Sequence, residues 1–305
     1  VTRQSSAQRI CRPPSVSRSG IIRGNASHGS IVNECLTMLL DEFQSTFSCI
    51  GCRSPLARDG DQFVCRRCGA VYPVREGKLW AVSADVLAAY ERETKESFES
   101  RWKRFLRNFP RLYIVLEYLF APGGVPGGLA VRHALRRVPP ETRLIVNLGS
   151  GSKRIRYDSG ILNLDVVPVA EVDVVADMAE LPFGDGTLDM VISECALEHV
   201  PRAPQAITEI ARVVRPGGFL YVVVPFLYPF HEAPSDYFRW TRSGLVAALS
   251  DFEPVEVGVW SGPMTTLIGY AAALFAAVFS FGSNRLATVL IYVILIPLAP
   301  LKLLD

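Results

Sequence analysis

The middle of the chain is a series of short apolar runs rich in β-branched residues, each cut off by a turn or an acid. Leu144-Ile145-Val146-Asn147-Leu148 breaks into Gly149-Ser150-Gly151, and Ile161-Leu162-Asn163-Leu164 ends on Asp165. Val172-Asp173-Val174-Val175-Ala176 ends on Asp177, followed by Leu181-Pro182-Phe183 and the turn-rich Gly184-Asp185-Gly186. Leu188 to Ser193 and Phe219 to Val224 are two further runs of this kind. Short apolar runs bounded by turn signals predict buried strands. The stretch from Pro204 to Val214 has helical spacing, and Arg215-Pro216-Gly217-Gly218 predicts its end. Phe252 to Val259 is expected to add a later strand. No clear seventh follows Gly258, so the sheet is either six-stranded or completed by the tail. Strands alternating with helices predict a doubly wound α/β sheet, whose ligands lie beyond the carboxyl ends of its strands.

Outside this region the pattern changes twice. Ala84 to Tyr118 reads as helical, with Tyr90, Phe98, Trp102, Phe105 and Phe109 near helical spacing, and Ala121 to Gly128 is a Pro/Gly-rich hinge or lid. From Met264 to Gly282 there is no charged residue, and nineteen helical residues span about 28 Å, close to a bilayer's hydrocarbon thickness. Ser283-Asn284-Arg285 interrupts, and Leu286 to Leu304 is apolar again, with Pro297 and Pro300 in its second half. The expectation is a helical hairpin inserted in, or lying on, the cytoplasmic face of a membrane. A buried helical pair covering the sheet is the alternative. The mean hydropathy of +0.23 favours lipid.

Composition supports a folded chain of several parts. The 305 residues are 49% hydrophobic and 20% charged, and the net charge of +2 argues for no nucleic-acid or acidic partner. Residues 1–40 carry Arg3, Arg9, Arg12, Arg18 and Arg23 without an apolar period and are expected to be a disordered basic head, with Met38 opening a more protein-like stretch as the expected true start. Of 7 cysteines, Cys49, Cys52, Cys65 and Cys68 form two CxxC knuckles. Two such knuckles point four thiolates at one structural zinc ion, closing residues 41–83 as a zinc ribbon.

In the order of its motifs the chain resembles the class I S-adenosylmethionine (SAM) dependent methyltransferases. The motifs are Asn147-Leu148-Gly149-Ser150-Gly151, Asp165, Ala176-Asp177 with Leu181-Pro182-Phe183, Leu197-Glu198-His199-Val200, and Arg212 to Gly218. The resemblance implies a Rossmann-like sheet in which the turn at Asn147, Gly149, Ser150 and Gly151 receives the methionine moiety. It implies further that Asp165 binds the ribose hydroxyls, that Asp177 and Met178 meet the adenine, and that Ser193 and Glu194 line the methionine and substrate side. Asn147 stands where the family usually has an acid, and Lys153 where it often has a third glycine, which raises a SAM-binding scaffold as the alternative to an enzyme. Gly69 to Lys78 resembles small zinc-ribbon proteins that partner methyltransferases.

The run from Pro225 to Thr241 is the densest polar and aromatic loop in the chain, and it follows a strand's carboxyl end. Here His231 is a candidate to accept a proton, Asp236 to orient it, and Tyr237 or Arg239 to hold an anionic or hydroxyl-bearing acceptor. Similar His-x2-Pro-x-Asp-Tyr-x-Arg loops occur in a bacterial subset of these methyltransferases. The competing reading is that Asp236 pairs with Arg239 and Thr241 caps the next helix. The expected organisation is therefore a head (1–40), a zinc ribbon (41–83), a helical linker or lid (84–132), a SAM-binding domain (133–262) and an apolar helical tail (263–305). The acceptor class is open between a membrane-linked lipid, glycan or quinone-like molecule and RNA or protein, and the oligomeric state is not legible.

Overall fold

The computed structural model describes residues 39–93, 127–151, 160–169, 171–228 and 235–305. The basic head, most of the predicted linker helix, the hinge at 121–126, Lys153 and His231 lie outside them.

The described strands form one nine-stranded mixed sheet in the order β1-β2-β3-β4-β7-β6-β5-β8-β9. Strands β1 (Leu56–Asp59), β2 (Gln62–Cys65), β3 (Val71–Arg75) and β4 (Lys78–Ala81) are an antiparallel meander built on the cysteine knuckles. The apolar runs of the middle region form β5 (Ile145–Leu148), β6 (Ile161–Asp165), β7 (Val174–Ala176), β8 (Leu188–Glu194) and β9 (Val214–Val223), all paired in parallel. All four residues of β5 are buried, as expected of a parallel strand covered on both faces.

The side-chain alternation of the strands divides the interior in two. Val146, Leu148, Leu162 and Leu164 join the face covered by helix Ala203–Val213, while Ile145, Ile161, Met190 and Ile192 pack with Val131 from helix Gly127–Leu135. Asn147 and Asn163 are register partners within this buried sheet. They are satisfied by each other and by Asp173: Asn147 Nδ2 donates to Asn163 Oδ1 at 3.1 Å, and Asn163 Nδ2 donates to Asp173 Oδ2 at 3.1 Å.

The ribbon is fused to this sheet by backbone pairing. Strand β4 runs parallel to β7 with Leu79, Trp80 and Ala81 opposite Val174, Val175 and Ala176. Phe47 and Phe63 of the ribbon share one apolar cluster with Leu181, Phe183 and Ile210. The Phe47 ring stacks on Phe183 with centroids 5.6 Å apart and meets Phe63 edge-on at 5.2 Å.

Three expectations are corrected. Phe252–Val259 forms no strand, and Val255 and Val259 are exposed, because no neighbouring strand offers its backbone a ladder. The helix ends at Val213, just ahead of Arg215-Pro216-Gly217-Gly218 as expected, but the strand begins at Val214 and not at Phe219, with residues 215–218 forming an irregularity that pairing to β8 skips between Val214 and Phe219. The tail hides no strand either. It is a pair of helices, Pro263–Phe279 and Asn284–Leu298, continued by a 3-10 stretch, Ala299–Leu304.

The buried cluster of that pair is made of tail residues alone, centred on Ile268, Ala272 and Leu295. Asp305 ties the hairpin's base by accepting the N–H groups of Met264 and Thr265 at 2.7 and 2.9 Å. Leu267, Leu274, Phe281, Val289, Val293 and Leu304 all point outward. Residues Arg285–Leu304 are long and apolar enough to cross a membrane, with mean hydropathy 2.2, whereas Pro263–Phe279 is a shorter apolar helix.

Candidate functional site

The carboxyl ends of β5, β6, β7 and β8 gather the residues that the sequence pattern singled out. The turn after β5 holds Gly149 at φ +64° and Gly151 at φ +50°, conformations that an L side chain rarely adopts. A Cβ at Gly149 would also lie 2.3 Å from that of Ala196, so the turn and the segment after β8 are in direct backbone-level contact. Cys195, at φ +50°, makes the reversal that brings Ala196 there.

Asp165 binds this turn to the second strand. Its Oδ2 accepts the Gly151 N–H at 2.7 Å and its Oδ1 accepts the Val167 N–H at 2.9 Å. Burial nevertheless pushes the Asp165 carboxyl above its ordinary value, outweighing these donors. A carboxylate offers about four acceptor positions, so these donors do not exhaust it.

Asp177 is more committed: Oδ1 accepts the Ala179 N–H at 2.8 Å, and Oδ2 pairs with Arg202 at 2.7 Å. Met178 is buried against Gly149. Ser193, opposite Leu148 in the β5–β8 register, and Ser150 both bury hydroxyls that have no hydrogen-bond partner among the described residues. Orphaned hydroxyls on adjacent strand ends fit a polar ligand entering over the glycine turn. Glu194, half-buried, closes β8 beside them.

The loop after β9 comes to the same end of the sheet. Asp236 and Arg239 form a two-bond fork, and Arg239 also donates to the Phe238 carbonyl at 2.9 Å. Thr241 Oγ1 accepts the Gly244 N–H at 3.0 Å and so caps helix Arg242–Ala248. Tyr237 is about half exposed. Whether Asp236 orients His231 falls outside the described residues. Two residues of the Leu197–His199 3-10 turn hold the loop down. The Glu198 carbonyl accepts the N–H groups of Tyr237 and Phe238 at 2.8 and 3.3 Å, and His199 Nδ1 lies 2.6 Å from the Ser235 carbonyl.

Glu198 was not singled out from the sequence as a site residue. It is fully buried, and neither carboxyl oxygen has a hydrogen-bond partner among the described residues. Burial pushes its pKa up to about 7, with Arg239 pulling it down and Asp236 adding to the rise. Between Leu197 and His199 nothing but position in the motif sets it apart.

The candidate metal centre lies in the ribbon, at the β1 edge of the sheet. The Sγ atoms of Cys49, Cys52, Cys65 and Cys68 all fall within 4.8 Å of one another, with Cys52 to Cys65 at 3.4 Å and Cys49 to Cys68 at 3.6 Å. A tetrahedron with Zn–S bonds of about 2.3 Å has edges of about 3.8 Å, so the four thiols fit a closed structural zinc site. The Tyr72 hydroxyl, 3.1 Å from Cys49 Sγ, and the Ile50 N–H bonded to that hydroxyl fix the first knuckle from behind.

Residues 159–222 match the protein family described as a methyltransferase domain, and this interval covers β6 through most of β9. An uncharacterised chloroplast methyltransferase of Arabidopsis thaliana is 44% identical over 63 residues, 20% of this chain and 18% of that protein. The ubiquinone/menaquinone biosynthesis C-methyltransferase of Blochmanniella pennsylvanica is 30% identical over 152 residues, 44% of this chain and 56% of that protein. The chain thus spans less than two thirds of the length of these curated relatives. A solved complex of a Haloferax volcanii methyltransferase activator with a candidate methyltransferase aligns at 27% identity and TM-score 0.33, covering 40% of this chain and 65% of that one.

Proposed function

We propose, from the methyltransferase domain that this chain carries, that it transfers a methyl group from SAM to an acceptor presented at the carboxyl end of its sheet. The observation that carries this is the coincidence of the family match with the β6–β9 strands, whose ends hold Asp165, Asp177 and the orphaned Ser193 hydroxyl beside the glycine turn. When bound, the cofactor supplies an activated methyl on a sulfonium.

The chain's own residues then have separable roles. The turn at Asn147, Gly149, Ser150 and Gly151 admits the methionine moiety close to the backbone. Asp165 accepts the ribose hydroxyls, Asp177 and Met178 face the adenine, and Ser193 with Glu194 line the transfer side. On the loop, Arg239 and Tyr237 hold the acceptor, Asp236 fixes Arg239, and His231 takes the acceptor's proton.

The acceptor class is proposed to be a membrane-resident molecule, lipid-linked or quinone-like. Two observations support it. The tail presents an outward apolar surface, and Arg285–Leu304 is long and apolar enough to cross a membrane, which supports a hairpin held by lipid. Tyr270 of the tail also lies within electrostatic reach of Arg239, whose guanidinium is raised above its ordinary value chiefly by Asp236. A role for the ribbon in orienting RNA or protein has less support, since five strands separate β3 from β9. Structural zinc in the ribbon instead fits a part in holding the β7 edge.

The test is a screen of membrane extracts, polysaccharide fractions and RNA with methyl-labelled SAM. Acceptor-dependent S-adenosylhomocysteine with label in the lipid fraction is expected, and His231→Ala or Asp236→Ala should cut turnover by roughly a hundredfold while sparing SAM binding. Label in RNA would replace the acceptor class, and SAM binding without turnover on any fraction would leave a scaffold.

A further inference from the structure

A cationic cofactor entering a buried site needs a compensating charge, and the described carboxylates around the glycine turn are unequally available. Asn147 is neutral and donates to Asn163. Asp165 is held by two backbone N–H groups, and Asp177 by Ala179 N–H and Arg202. Glu194, at the end of β8, is only half-buried, and Glu198 differs from all three of these acids. It lies two residues beyond Ala196, whose Cβ abuts Gly149, it has no exposed surface, and neither of its carboxyl oxygens has a hydrogen-bond partner among the described residues.

A buried carboxyl without a partner is costly as an anion and stays protonated until a positive charge arrives. The groups that act on Glu198 are the Arg239–Asp236 fork of the loop and its own neighbour His199, whose Nε2 stands 3.8 Å from Glu198 Oε1. The fork is internally neutralised, so Arg239 does not serve Glu198 as a dedicated counter-ion. His199 directs Nδ1 at the Ser235 carbonyl, which makes Nδ1 the donor there and leaves Nε2 facing the carboxyl.

We infer that Glu198 is the charge-compensating carboxylate of the cofactor site, giving up its proton to solvent when the sulfonium of SAM binds and regaining it when the neutral thioether product remains. This rests on the methyltransferase reading and deepens it, assigning to the Leu197-Glu198-His199 turn a direct part in telling cofactor from product. The same turn clamps the acceptor loop through its backbone.

Calorimetry in two buffers of different ionisation enthalpy tests the assignment without any acceptor. The wild-type chain is expected to release about half a proton at pH 7 on binding SAM or sinefungin, which carries an ammonium in place of the sulfonium, and close to none on binding S-adenosylhomocysteine. The difference between cofactor and product isolates Glu198 from Asp165, because both ligands carry the same ribose. In Glu198→Gln the release should vanish and the preference for SAM over S-adenosylhomocysteine should fall on the order of tenfold. SAM binding with equal proton exchange for both ligands, or unchanged release in the variant, would overturn the assignment. Absence of SAM binding altogether would instead overturn the methyltransferase reading beneath it. The wild-type measurement decides the matter even if the variant fails to fold.

Discussion

Arg53 of the ribbon forks onto the buried Glu209 of helix Ala203–Val213, with Nη1 to Oε2 at 3.0 Å and Nη2 to Oε1 at 2.9 Å. The pair joins residues far apart in sequence and fastens the first cysteine knuckle to the helix that covers the parallel part of the sheet. Glu209 also binds Arg212 and accepts the Leu181 N–H at 3.0 Å. Burial alone would raise its carboxyl, but the hydrogen bonds and charges of Arg212 and Arg53 outweigh it and hold Glu209 below its ordinary value.

A depressed carboxyl contributes stability that is present above its unfolded pKa and is lost as the pH falls through the folded one. Glu209→Gln is therefore expected to cost about 2 kcal/mol at pH 7, less than a fully buried pair because Arg53 is partly solvated, and to flatten the acid limb of the stability curve below about pH 4.5. Urea denaturation at several pH values measures both, and parallel curves for wild type and variant would refute the latch.

The four thiols should carry one zinc ion per chain, lost in Cys49→Ser or Cys65→Ser. Because ribbon and sheet share one apolar cluster, chelation should lower a single cooperative melting transition and not merely remove a separate early one. Metal analysis of anaerobically purified protein gives the first result and calorimetric scanning the second. Two independent transitions would show that the parallel β4–β7 pairing is not a cooperative joint.

SAM affinity should fall about tenfold to a hundredfold in Asp165→Asn, which keeps the size of the side chain but loses the charge that meets ribose and glycine-turn donors together. Gly149→Ala should lose binding and about 2 kcal/mol of stability, since the new methyl meets Ala196 at a positive φ. Titration calorimetry on both variants checks this. Wild-type affinity in Gly149→Ala would exclude the turn as the cofactor's seat.

Glu198 has the opposite sign of pH dependence to Glu209. With its folded pKa near 7 and an unfolded value near 4.5, its contribution is fully present below about pH 4.5 and disappears as the pH rises through 7. The cofactor-free chain should lose about 3 kcal/mol across that window on this account, and Glu198→Gln should not. An identical slope in the two proteins between pH 5 and 8 would place the charge elsewhere.

The full chain should sediment with membranes and resist extraction by high salt, whereas a truncation before Met264 should be soluble and still bind SAM. Apolar helices in lipid are indifferent to screening, unlike a surface held by basic residues. Removing the hairpin leaves the two sheet clusters intact, because its own cluster is separate. Aggregation of the truncated protein would indicate that the tail covers the sheet.

Much of this architecture was legible in the linear pattern. Local rules suffice for β5 to β8, since a parallel strand buried on both faces is a short apolar run with a turn behind it, and for the cysteine knuckles, whose spacing dictates convergence on one point. They suffice also for the positive-φ turn at Gly149 and for the tail's unbroken apolar composition. Non-local pairing was beyond them. Nothing in Lys78–Ala81 announces that it will extend the sheet beside Val174–Ala176, because backbone ladders carry no side-chain signature. Phe252–Val259 alternates like a strand yet finds no ladder, and Glu198 looks like any acid in a turn until folding removes its water. A strand needs a neighbour and a shifted carboxyl needs burial, and both are supplied by residues distant in the chain.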